Sequence, residues 1–471
     1  MSEKVDFVVI GSGAGGSAAA ARLCEGGASV LLAEKGSPAS TSNDALRAIG
    51  KYYTNEGLSA AMGNCLLPIP TGEVLGGTTR INSGTCLKTP KDLLRRWEAV
   101  EGFRADGFEP HLDEAWRRLK VKPVPEETQS RSTKLFFKGL DSLGISGGHA
   151  LERGEDGCVG SSRCCFICPR DAKMSAEKAY LAPLLGKPGF EVACETELVS
   201  LAPGKNPRVT LRSESGTREV ECKAVVLACG TLRTPYFLRR FGLGRAPAGD
   251  ALSVHPATKV FALFDEKVES DKGVPQAGGL LDPDEPRIRY EGIHMPLELA
   301  AMSMPFEGRE LRRWMDVHER IATFGFMIRD ESRGSVRYPV GPRLPWLSYR
   351  LQDGDLARMT RAMRFLGKVF FAAGARKVVL PLNRPGSVFE TAAQLQKADL
   401  SDVRAADLQM MAFHPLGTCG MGRVVDGNLK AADGVYVADG SVVPESLGVN
   451  PQITIYAFAL RLAEHLLGVP A

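Results

Sequence analysis

Apolar and polar positions alternate between two regimes along this chain. Near the start, Val-Asp-Phe-Val-Val-Ile (residues 5–10) is almost unbroken in its apolarity, the pattern of a strand buried on both faces. Gly11-Ser-Gly13-Ala-Gly-Gly16 follows, then the small-residue stretch SAAAARLCEGG, a predicted helix closed by glycines. The next strand lies in ASVLLAEKG and ends at Glu34. Ala224–Gly244 repeats the pattern as a buried strand, the turn Cys229-Gly230-Thr231 and a helix. GVYVADGS is a strand ending at Asp439-Gly440, and Gly448-Val-Asn450-Pro451-Gln452-Ile453-Thr454 opens the last helix.

Between these segments the pattern changes. ATKVFALFD, IRYEGIHM, ATFGFMIRD, GSVRYPV and LSYRL are short, aromatic and β-branched, and they predict one antiparallel sheet. A helix is predicted from Asp355 to Ala373, where Leu356, Met359, Met363, Phe370 and Ala373 recur at helical spacing and Gly374 stops it. The expected fold class is α/β: a Rossmann-like nucleotide domain plus an α+β domain with an antiparallel sheet. The expected boundaries are 1–90, 155–250 and 405–471 for the first, and 91–154 and 251–404 for the second.

The glycines carry the first chemistry. A strand, a Gly-x-Gly-x-x-Gly turn and a helix make the dinucleotide-binding fingerprint in its required context. Gly11 permits the tight turn, Gly13 lets backbone approach a pyrophosphate, and Gly16 lets helix and strand pack closely. The helix N-terminus offers N–H groups and positive dipole to phosphates, and Ala14 in the turn before it is an expected cofactor contact. Glu34, with Lys35 beside it, is placed for the adenosine ribose, and its charge argues against NADP. A second glycine motif, Gly76-Gly77-Thr78-Thr79-Arg80-Ile81-Asn82-Ser83-Gly84-Thr85, is superfluous for a nicotinamide enzyme. Extended FAD needs such a second cradle. The expected cofactor contacts are completed by Leu198, Cys229, Gly230, Asp439, Gly440, Asn450, Pro451, Gln452 and Ile453.

The fourth segment adds a base. Phe413-His414-Pro415-Leu416-Gly417-Thr418 precedes the Asp439 strand and the Asn450-Pro451 turn. The four segments, in this order, resemble the glucose–methanol–choline oxidoreductase family, and the match covers essentially the whole flavin domain. The resemblance implies that His414 is the active-site histidine facing the flavin. It implies that Asn450 holds the second catalytic position. It also implies non-covalent FAD, because relatives with a flavin-linked histidine place it where this chain has Ile81. The residues agree with an alcohol oxidation: an imidazole titrates in the range needed to take the hydroxyl proton, and Asn450 can hold the same oxygen. A lyase or photodecarboxylase on the same fold, and a flavin electron-transfer subunit, are the alternatives. Asn450 could equally cap the last helix. Among the other histidines, His255 alone invites attention, and the rest read as surface or packing residues.

Composition narrows the partners. MPLELAAMSMPF and ATFGFMI are rich in Met, Phe and Leu, without the polar clusters a sugar would need, so an apolar alcohol is expected. SYRL followed by a helix and AAGARKVVLPL is similar to the long-chain alcohol oxidases of the family. The electron acceptor is O2 or another oxidant. A formal charge of +4 on 471 residues gives no reason to expect a nucleic-acid partner. No cleavable leader or membrane-length apolar run is found, so a cytoplasmic location and no transmembrane segment are expected. Four of the eleven cysteines cluster, Cys158, Cys164, Cys165 and Cys168. Their spacing matches neither a complete ferredoxin ligand run nor a zinc site, and no metal site is assigned. An iron–sulfur cluster is the less favoured alternative.

Overall fold

The computed structural model describes residues 3–469 apart from 42, 270 and 295. Its centre is a six-stranded sheet in the order Lys430–Ala432, Val435–Val437, Ala224–Leu227, Phe7–Ile10, Val30–Ala33, Phe190–Ala193. The last five strands are parallel. Phe7–Ile10 lies in the middle, with Ala224–Leu227 on one side and Val30–Ala33 on the other, and all twelve residues are buried. Burial on both faces is what their unbroken apolar runs encode.

The helix Ala14–Glu25 crosses one face of this sheet. Ala18, Ala19, Ala20 and Ala21 are wholly buried, and the helix packs on the C-terminal helix Gln452–Leu466. Small side chains allow that close stacking. Gly15 lies so near the next strand end that a Cβ there would be 1.7 Å from the Ala438 carbonyl oxygen. A Cβ on Gly16 would be 1.9 Å from the Gly11 carbonyl oxygen, which explains the packing role read for that glycine. The C-terminal helix is apolar on nearly every side because it is buried between layers.

The second domain is built on an antiparallel sheet in the order Val388–Phe389, Lys377–Val379, Pro256–Leu263, Ile321–Ile328, Ile288–Gly292, Gly278–Leu281, His149–Ala150. Met411–Ala412 joins the start of Pro256–Leu263. The helix Asp353–Ala373 packs behind it and ends, as expected, on Gly374 in the left-handed conformation (φ 105°).

The expected single antiparallel sheet is in fact two. Gly334–Arg337 and Trp346–Tyr349 form a hairpin that leaves the main wall. They belong to a separate five-stranded sheet with Asp250–Leu252, Ala60–Met62 and Leu66–Pro68. Strand periodicity identifies the hairpin but carries no information on which edge it will meet. This sheet pairs strands from segment 1–90 with strands from segment 251–404. No helix among the described residues is long and apolar enough to cross a membrane.

Candidate active site

A cavity of about 1540 Å³ lies between the parallel sheet and the antiparallel wall. On the parallel-sheet side it is lined by Gly11, Gly13, Ala14, Glu34, Lys35, Leu198, Cys229, Gly230, Asp439 and Gly440. Gly77, Thr78, Asn82, Gly84 and Thr85 of the second glycine motif also line it, as do Asn450, Pro451 and Gln452. Gly16, Gly76 and Ile453, expected as contacts, are not among the lining residues.

The first turn is built for a close backbone approach. Gly11 has φ 102°, and an added Cβ would be 2.3 Å from the Ala228 carbonyl oxygen. At Gly13, by contrast, nothing lies within 4 Å of where a Cβ would stand. Gly13 is also the N-cap of the first helix and supplies no side-chain acceptor, so the helix dipole and leading N–H groups are left for an anion. The second motif meets the first directly: a Cβ on Gly77 would be 2.8 Å from the Gly13 Cα.

Glu34 knits the two motifs. One carboxylate oxygen accepts from the backbone N–H and hydroxyl of Ser12 (2.8 and 2.6 Å), and the other accepts from the Gly36 N–H (2.7 Å). The Ser12 hydroxyl in turn accepts from the Gly76 N–H at 2.8 Å. Burial pushes the Glu34 carboxyl upward, and the three donors oppose that shift. Lys35 is paired to Glu73. Asp439 performs a similar task on the third segment, accepting from the Gly230 N–H at 2.9 Å, the Thr234 hydroxyl and the Ser441 N–H. Gln452 joins the last helix to the second motif, accepting from Asn82 at 3.2 Å and donating to the Thr85 carbonyl at 2.6 Å.

The chemistry-bearing group lies where the antiparallel wall meets the C-terminal segment. His414 Nε2 is 3.5 Å from Asn450 Nδ2. The same Asn450 amide donates to Glu291 Oε2 at 3.3 Å. Asn450 is not the cap of the last helix; that position is Pro451, which leaves the asparagine side chain for these partners. His414 Nδ1, Asn450 Oδ1 and Glu291 Oε1 are buried without a hydrogen-bond partner among the described residues. Burial pushes the His414 imidazolium down to about 4, so the ring is neutral at ordinary pH. Burial also raises the Glu291 carboxyl.

His255 packs edge-on against His414, with ring centroids 5.1 Å apart. Its Nε2 accepts from the backbone N–H groups of Leu447 and Gly448, at 2.9 and 2.8 Å. That arrangement fixes the neutral ring and anchors the segment that carries Asn450. Its backbone is left-handed (φ 50°), an uncommon conformation for a residue with a side chain. His294, buried in the lining, bonds to Ser162 at 2.7 Å.

The cysteine loop packs beneath the second motif. Cys165 lines the cavity with its sulfur 3.3 Å from the Ser83 hydroxyl, and Arg153 donates to the Cys164 sulfur at 3.2 Å. Buried Lys173 donates to the carbonyls of Arg80, Asn82 and Cys164, tying the loop down. All eleven cysteines are free, and no metal-holding group of His, Cys, Asp and Glu occurs among the described residues.

The lining fits a flavin dinucleotide. It offers an uncapped helix start, an open glycine cradle and a second backbone turn, and it places three orphaned polar atoms against one cavity. Glu291 and Ser12 were not singled out in the sequence, since one is a strand residue like its neighbours and the other a spacer in the glycine turn.

Comparison with known proteins agrees with this architecture. Models of the N- and C-terminal parts of GMC oxidoreductases match residues 5–257 and 330–459. The chain is similar to an uncharacterised GMC-type oxidoreductase of Mycobacterium tuberculosis, 34% identical over 98% of this chain and 75% of the relative. It is also similar to a long-chain-alcohol oxidase of Arabidopsis thaliana, at 25% identity over 98% of this chain and 66% of the relative. Among solved structures, pyridoxine 4-oxidase from Mesorbium loti has the same fold, with a TM-score of 0.75 at 19% identity over 98% of this chain and 99% of that one. From the two matched family models and a relative 34% identical over 98% of this chain, the chain belongs to the GMC oxidoreductase family.

Proposed function

We propose that the protein oxidises an apolar alcohol to an aldehyde or ketone with non-covalent FAD, using His414 as base and Asn450 as the group that positions the substrate. The observation that carries this reading is the 3.5 Å separation of His414 Nε2 and Asn450 Nδ2 on the cavity wall. It is at the long limit of a hydrogen bond, so both atoms remain available to a third group. A hydroxyl placed between them accepts from the Asn450 amide and donates its proton to neutral His414. Removing that proton makes the carbon a hydride donor. FAD, when bound, supplies the acceptor for the hydride, and O2 or another oxidant then takes the electrons.

Glu291 holds the Asn450 amide in this orientation, and His255 holds the backbone that leads to it. Gly11, Gly13 and the first helix N-terminus would take the pyrophosphate. Glu34 would take the adenosine ribose. The deciding experiment is anaerobic mixing of the holoenzyme with primary, secondary and alicyclic alcohols. Bleaching of the flavin absorbance by an alcohol is expected. A flavin that no alcohol reduces would leave the lyase and electron-transfer readings standing instead.

Three further outcomes are expected. Ile81 lines the cavity and has no nucleophile, so acid or heat denaturation should release all the yellow chromophore into the supernatant. Chromophore retained by the fully unfolded precipitate would contradict the non-covalent assignment. Asn450→Ala should slow flavin reduction less than loss of His414 does, and Asn450→His should retain part of the activity, measured by stopped-flow absorbance.

The third outcome concerns pH. A base held near 4 stays neutral while free imidazole would protonate at 6.5. The reduction rate should therefore hold steady as pH falls through 6.5 and drop only near 4. Stability behaves differently. Between 6.5 and 4 the unfolded chain binds a proton that the folded site refuses, so stability is lost as pH falls across that window. His294, also pushed down to about 4 by burial, adds to the slope. Denaturant midpoints across the window, for the protein and for a His294→Gln variant, measure it.

A further inference from the structure

Lys259 is an unusual wall residue. It lies on the interior strand Pro256–Leu263, only 9% exposed, and borders the cavity. No hydrogen bond or ion pair to its ammonium exists among the described residues; the described interaction of that group is with the ring of Phe261, two residues along the same strand, at 5.5 Å. Asp271, His318 and Glu319 border a smaller adjoining pocket that Lys259 also lines, but none bonds to it, and Glu319 is paired with Lys267 at 2.8 Å. Burial alone pushes the Lys259 ammonium down to about 8. An unpaired buried cation costs free energy unless something compensates it.

The sheet register shows where that cation stands relative to the chemistry. Lys259 is paired directly with Gly325, and Gly325 is paired directly with Glu291 on the next strand. Directly paired residues share a sheet face. All three border the cavity. The row is therefore a cation, a bare backbone position and the carboxylate that holds Asn450. Two steps between antiparallel strands set the outer Cα atoms about 10 Å apart. The Ile293 side chain lies over Gly325 and needs it bare, since a Cβ there would be 2.7 Å from Ile293 Cγ2. Apolar surface from Ile293, Leu299, Met302 and Met411 lines the same cavity.

We propose that the substrate is an alcohol that also carries an anionic group, a carboxylate on an otherwise apolar chain, which Lys259 binds on the far side of Gly325 and its Ile293 cover from the Glu291–Asn450–His414 group. The hydroxyl occupies the His414 end, the apolar chain crosses Ile293, and the carboxylate supplies the counter-charge that Lys259 lacks among the described residues. This rests on the alcohol-oxidising reading above and sharpens it from an apolar alcohol to a hydroxy acid.

The test compares FAD-loaded wild type with Lys259→Met, a variant of similar reach without charge. Anaerobic flavin reduction is measured with ω-hydroxydecanoate and with decanol. Calorimetric titration of decanoate, which has no hydroxyl to oxidise, is run in parallel. In wild type, ω-hydroxydecanoate is expected to be the better substrate and decanoate to bind. Lys259→Met is expected to lower kcat/KM for the hydroxy acid by about tenfold or more, a change of about 1.4 kcal/mol, to leave decanol unchanged, and to abolish decanoate binding. An equal loss with both substrates, or decanoate binding unaffected by the substitution, would overturn the proposal. The two readings fail separately. If no alcohol reduces the flavin but decanoate binds through Lys259, the oxidation reading falls and the anion site stands; if decanol is oxidised and decanoate does not bind wild type, only the anion site falls.

Discussion

Replacing His414 with alanine should leave the flavin bound and slow its reduction by alcohol about 10²–10⁴-fold, the usual cost of removing a general base. The separation of tasks in the cavity is what makes this a clean test. The glycine turns, Glu34, Asp439 and Gln452 are held by their own hydrogen bonds, and His414 takes part in none of them. Its one described hydrogen-bond partner is the Asn450 amide. The variant should therefore show wild-type flavin stoichiometry by absorbance. Lost reduction together with lost flavin would place His414 in cofactor binding, and wild-type reduction rates would place the base elsewhere.

The largest effect on stability is expected at Gly15. In Gly15→Val the Cβ would stand 1.7 Å from the Ala438 carbonyl oxygen and 2.6 Å from its carbon. Those are backbone atoms at the end of a central strand, so no side chain can swing away. Relief requires the first helix to move off the sheet, where Ala18–Ala21 are wholly buried. Overpacking of a core usually costs about 1–3 kcal/mol, and a rigid backbone contact places this case at or above the upper end. The variant should express as insoluble or flavin-free protein. A thermal midpoint within a few degrees of wild type, with full flavin, would show that the helix has room to shift.

Gly15 also shows where sequence reasoning stops. The glycine turn was legible because strand, turn and helix each have a local signature, and Gly11, Gly13 and Gly16 occupy expected stations in it. Gly15 is a spacer in that pattern; its constraint comes from Ala438, more than 400 residues away in the chain. Glu291 was hidden for the same reason. Within IRYEGIHM it is one polar residue of a strand, and only pairing with Gly325 and the approach of Asn450 make it part of the site. His255 invites attention as the histidine that leads a strand, but nothing local says that its ring accepts from two backbone N–H groups of a distant turn. The hairpin Gly334–Tyr349 was legible as strands and illegible as to its sheet, because edge choice depends on what the rest of the chain leaves open.

The strand order of the central sheet has a consequence for how the protein is made. Phe7–Ile10 precedes its sheet neighbour Ala224–Leu227 by more than 200 residues, and Val435–Val437 comes later still. Contacts so distant along the chain form slowly, because a long loop must close before pairing rewards it. On the ribosome, one of the most apolar strands in the molecule waits half-paired, a species prone to sticking to other chains. His414 and Asn450 follow the strands of the antiparallel wall in the chain, so flavin cannot meet a complete pocket until they have been synthesised. Yield of the recombinant enzyme should thus depend on chaperone supply and on slow synthesis at low temperature more than on the stability of the finished fold.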